Sequence, residues 1–218
     1  MNRSASNRID IKRIVGIAMF AALAFGVTFV FRIPVSFLTF DAKDALLTVA
    51  AFIYGPAAAV VMSLIASLLE LTISDTAIIG ALMNFISSAA FSGTASLVYK
   101  YRRTLNGAII GVFSAVAITT AVMVVMNIFI TTIYMGVPRS VVISMLPMLT
   151  VFNFAKALMN SAIAMLIYKP IALAMRRAKL ISGHTMSTKF GKKSIITIIV
   201  GLVSLAAAIT LFLIIPKL

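Results

Sequence analysis

The side chains with the most chemical capacity in this chain lie where polar groups are costly. In the stretch TVFNFAKALMN, residues 150–160, Asn153, Lys156 and Asn160 interrupt an otherwise apolar run. At 3.6 residues per turn, the i, i+3, i+7 spacing keeps the three within an arc of about 60°, so they share one helical face. Two amides and an ammonium on one face can hold a guest rich in carbonyl and ring-nitrogen acceptors, or an anion. An ammonium at the centre of a membrane helix costs roughly 2.5–3.5 kcal/mol on insertion scales, so its presence calls for a partner or a watery cavity. Counted from Leu146, Lys156 lies about 15 Å along the helix, too deep to snorkel easily to either surface.

Further polar groups interrupt neighbouring apolar segments: Asn127 with Thr131; Asn84 with Ser87 and Ser88; and Ser63, Ser67, Glu70 and Ser74 along one helical face. Serine and threonine are the small residues that membrane helices use for close packing. The amides of Asn127, Asn153 and Asn160 together with Lys156 exceed what packing needs. Apart from Asp44 in the first turn of the second expected span, Glu70 is the only acid within a span, so a ligand arriving from outside is expected to compensate the lysine. Phe37 and Phe40, in the outer segment RIPVSFLTFDAKD, would give aromatic surface for a planar ring near the entrance.

Composition fixes the elements that must position these groups. Of 218 residues, 62% are hydrophobic and 11% charged, and the mean hydropathy is +1.13, whereas soluble domains are about 45–50% apolar and about 25% charged. The chain is read as all-α, a polytopic membrane helical bundle, because backbone groups in lipid must be satisfied within each segment and alternating strand patterns are absent. The expected spans are Ile14 to Phe31, Ala42 to Tyr54, Pro56 to Ile73, Thr76 to Tyr99, Leu105 to Tyr134, Leu146 to Ala174 and Ile195 to Ile215. The first is too long for a signal-peptide core and has no cleavage site after it, so it is expected to be retained. Tyr54-Gly55-Pro56 predicts a tight hairpin between the second and third spans.

Three units follow: a membrane domain over 1–178, a basic cytoplasmic linker over 179–193, and an additional helix over 194–218. With the N-terminus inside, fourteen basic residues fall in cytoplasmic segments and four (Arg32, Lys43, Arg139 and Lys217) outside, which sets the orientation by the positive-inside rule. The net charge of +14 is therefore a topology signal and implies no nucleic acid. If the last helix spans, the C-terminus lies outside.

Several chemistries are excluded. There is no cysteine, hence no thiolate metal site, and no metal ligand cluster is expected. FGKKS at 190–194 lacks the first glycine and the hydroxyl residue of a phosphate-binding loop. No His-x-x-x-His, Ser/Lys or paired-Asp arrangement lies within a span, so no enzyme is expected, and His184 in the linker is given no role.

The basic start with its Ala-rich helix, the loop FLTFDAKDALLTVAAFIYGPAAAVV, the segment GALMNFISSAAFSGTASLVYK and the motif NFAKALMN resemble the substrate-binding S components of energy-coupling-factor vitamin transporters, riboflavin subtype, over about residues 10–178. The resemblance implies a six-helix subunit that binds riboflavin or flavin mononucleotide as transported ligand, without a cofactor. It would associate within the bilayer with a membrane scaffold subunit and two cytoplasmic ATPases. It implies flavin contacts at Asn127, Asn153 and Lys156, joined by Asn84 and Asn160, with Leu38, Thr39, Phe40 and Asp41 in a lid. It also implies a docking face at Ala18 and Ala22, small residues at i and i+4. The additional helix departs from that pattern. Two alternatives stay open: an S component for another vitamin, and a membrane interaction subunit whose Lys156 pairs with an acid on a partner helix.

Overall fold

The structure, a computed structural model, describes residues 11–35, 38–73, 77–178 and 192–214. It is nearly all helical: α1 (Ile11–Val30), α2 (Lys43–Tyr54), α3 (Pro56–Glu70), α4 (Ala77–Tyr101), α5 (Leu105–Met126), α6 (Thr132–Met135), α7 (Arg139–Arg177) and α8 (Lys192–Ile214). One turn of π-helix, Asn127–Thr131, joins α5 to α6 into a continuous rod. That rod, α1, α4 and α7 are long and apolar enough to cross a membrane; α2 and α3 are shorter.

Alanine permits the close approach of the first three helices. Phe20, Ala21 and Ala24 of α1 pack on Leu47, Ala50 and Ala51 of α2 and on Ala58, Ala59, Met62 and Ala66 of α3. The expected reversal between α2 and α3 is made at Gly55, whose φ of +93° is a conformation that side chains with a Cβ rarely adopt, and Pro56 opens α3 without losing a needed donor. Thr104 caps α5 by accepting the Gly107 N–H at 3.1 Å. Gly136, with φ +63°, ends α6.

The structure corrects three sequence expectations. The segment after α1 is not strand-free: Ile33–Val35 (β1) and Leu38–Phe40 (β2) pair antiparallel, Ile33 opposite Phe40. The segment 135–145, expected as an outer loop, is largely helix, because α7 begins at Arg139, about two turns before Leu146. Along the basic linker, Lys192 and Lys193 already belong to α8, and 179–191, His184 included, lie outside the described residues. α8 packs along α7, with Gly201 against Leu166 and the carbonyl of Ala162.

Candidate ligand-binding site

Lys156 lies near the middle of α7, and its charge is answered from within the chain. Its Nζ is 2.9 Å from Oδ2 of Asp41 and donates at 3.5 Å to the backbone carbonyl of Thr39. The expectation that a ligand must compensate this lysine is thereby corrected. The alternative of an acid on a partner helix loses its premise. Asp41 sits between β2 and α2, outside any helix yet only 3% exposed.

The pairing continues through α2. Asp41 Oδ1 accepts the backbone N–H of Lys43 at 3.3 Å. Lys43, expected in an outer segment, is completely buried, and its Nζ lies 2.5 and 2.6 Å from the two oxygens of Glu70. Glu70 also accepts from the Thr28 hydroxyl at 3.3 Å and from the Asn84 amide at 2.8 Å. Asp44 accepts from the Ser88 hydroxyl. Charges removed from water persist only when paired and hydrogen-bonded. These pairs run from α7 through the hairpin junction and α2 to α3, with α1 and α4 supplying hydrogen bonds.

Above this network lies a cavity of about 490 Å³, within the range of roughly 300–1,000 Å³ of small-molecule sites. Leu38, Thr39, Asp41, Asn84, Asn127, Asn153 and Lys156 all line it. Phe40 and Asn160 do not. Phe40 is buried against Phe152, one residue behind the wall. Asn160 Oδ1 accepts the N–H of Ala45 at 2.9 Å and its Nδ2 donates to the Asp41 carbonyl at 3.0 Å, so it satisfies an orphan donor in the first turn of α2. Phe37 lies outside the described residues.

The wall also contains residues that the site assignment from sequence omitted: Thr28, Arg32, Glu70, Ser87, Met83 and Phe152. The apolar ones carry no signal apart from their helical neighbours. Arg32 had one, as the lone cation closing the first span.

Two asparagines complete the chemistry. Asn153 donates from Nδ2 to the carbonyl of Leu149 at 2.8 Å, so its amide oxygen is the group it offers a ligand. Asn127 accepts the Thr131 hydroxyl at 3.0 Å, while its Nδ2, buried, has no hydrogen-bond partner among the described residues. Asn127 opens the π turn, and such turns inside α-helices frequently occur at functional sites because the extra residue redirects side chains. The wall therefore presents an unmet amide donor, an amide oxygen and an ammonium. Across the bundle, Ala18 and Ala22 are exposed on α1, and Gly26 faces open space.

A family model described as ECF transporter, substrate-specific component, matches residues 12–168. The riboflavin transporter RibU of Staphylococcus aureus (strain TCH60) is 29% identical over 177 residues, covering 76% of this chain and 93% of that protein. A solved S component of a bacterial ECF transporter superposes with a TM-score of 0.65 at 30% identity, covering 76% of this chain and 98% of the other.

Proposed function

Because this chain belongs to the family of ECF transporter substrate-specific components, a family of multi-pass membrane transport proteins, we propose that its cavity binds riboflavin or flavin mononucleotide from the outer side and releases it inward. The flavin is the transported ligand, not a cofactor. The observation that carries this reading is the buried, unpartnered Nδ2 of Asn127 on the cavity wall. Leaving a buried donor unmet costs about 1–3 kcal/mol, and a ligand carbonyl or ring nitrogen would recover it. Lys156 and the Asn153 oxygen add a donor and an acceptor, a pattern suited to the alternating edge of a flavin ring. Met83, Ile130 and Phe152 provide apolar surface for its faces.

Inward release belongs to the same reading and follows the family. The chain would join a membrane scaffold subunit and two cytoplasmic ATPases through the exposed Ala18, Ala22 and Gly26 row, where small residues let another helix approach closely. The N-terminus would be cytoplasmic. The described six-helix core would act as the binding domain, with α8 appended to it. The purified chain should quench flavin fluorescence, and its absorption spectrum should carry flavin bands when it is isolated from cells. Absence of binding at micromolar riboflavin and flavin mononucleotide removes the reading.

A further inference from the structure

Charge is distributed unevenly along the cavity wall. At one part of it Lys156 is paired with Asp41, and Lys43 beneath is paired with Glu70. Asp44 is buried close by, against Ser88. An anion placed against Lys156 would compete with a carboxylate already at 2.9 Å and meet two further acids, so this part of the wall favours neutral acceptors.

Arg32 differs. It is exposed and lies on the cavity wall just beyond the end of α1. One guanidinium nitrogen donates to the carbonyl of Ile73 at 2.8 Å, which anchors the group beside the turn that follows α3. Among the described residues no carboxylate lies within ion-pair distance of it. An arginine has five N–H donors in a planar fork suited to phosphate oxygens, and this one spends a single donor on the described residues.

Resting on the flavin reading above, we propose that Arg32 selects for a phosphate monoester on the ligand's tail. The ring lies against Asn127, Asn153 and Lys156, and the tail runs toward the exposed rim, where Arg32 holds the phosphate. Flavin mononucleotide is then a ligand in its own right, with its affinity relative to riboflavin set at this one side chain.

The test is equilibrium binding of both flavins to the purified full chain in phospholipid-free detergent, so that the ligand carries the only phosphate present. Arg32→Gln should lower the ratio of flavin mononucleotide to riboflavin affinity about tenfold, the scale of one charge-assisted hydrogen-bonded pair, and Arg32→Glu should lower it further. Raising salt from about 50 to about 500 mM should reduce the same ratio in the unsubstituted chain and much less in Arg32→Gln. Arg139→Gln is the control, since Arg139 stacks on the Phe129 ring at 5.1 Å and is not on the cavity wall; its ratio should stay unchanged. A ratio unaffected by Arg32→Gln, or affected equally by Arg139→Gln, overturns the proposal. Binding of riboflavin without any binding of flavin mononucleotide also overturns it while leaving the flavin reading intact. Failure of both flavins to bind removes the flavin reading itself.

Discussion

Asp41 and Lys156, 115 positions apart in sequence, meet as a buried ion pair at 2.9 Å. The pair ties the end of the β-hairpin to the midpoint of the longest helix. Because the Thr39 carbonyl receives a second hydrogen bond from the same ammonium, the position of the hairpin and the position of the cavity's only wall ammonium among the described residues are set together.

Breaking that pair from either side should destabilise the chain, since removing one partner of a buried pair costs about 3–5 kcal/mol. Lys156→Met and Asp41→Asn are each expected to lower the thermal midpoint of the detergent-solubilised protein. The double variant should lose less than the sum of the two. Additive losses would mean that the contact carries no coupling.

Asn127 should behave in the opposite way. Its Nδ2 has no hydrogen-bond partner among the described residues, so Asn127→Ala should change ligand-free stability by less than about 1 kcal/mol while weakening riboflavin binding roughly tenfold. A large loss of stability with unchanged binding would assign the residue to packing.

Lys43 makes a sharper comparison than its place between a loop and a helix suggests. Lys43→Met leaves Glu70 buried with neutral donors alone, and a loss of about 3 kcal/mol or more is expected in unfolding measurements. Glu70→Gln with Lys43→Met together should restore much of it, because two neutral groups need less compensation than one charge. Failure of the second substitution to rescue would place the defect in helix packing.

At the exposed row on α1, Ala22→Leu should leave flavin binding to the isolated chain intact, as Ala22 is exposed and is not on the cavity wall. Co-purification with a scaffold subunit should fall several-fold, because a branched side chain prevents close helix approach. Equal loss of both readouts would contradict a docking role.

How much of this was legible in the sequence depends on depth. The helical class, the Gly55 reversal and the shared face of Asn153 and Lys156 follow from periodicity and turn chemistry, and all are present. The partner of Lys156 was not legible. Sequence reading places Asp41 and Lys43 outside the membrane because they precede an apolar segment. However, α2 has only 12 residues, about 18 Å of helix against a hydrocarbon thickness of about 30 Å. A helix that short need not start at the surface, and the Asp41–Lys156 pair sets its start at the level of a lysine in the middle of α7. The same shortness explains Asn160, whose face matches Lys156 but whose amide is consumed in capping α2. The hairpin escaped because two three-residue strands leave no periodic signal.

The π turn at Asn127–Thr131 has the geometry of a single-residue insertion within the rod 105–135. Everything beyond it is rotated by about 100° relative to an uninterrupted α-helix, which sets where Tyr134 meets the cavity. Deleting one residue from this turn would re-register the end of the rod beyond it while preserving every chemical group there, a change of phase that no substitution reproduces.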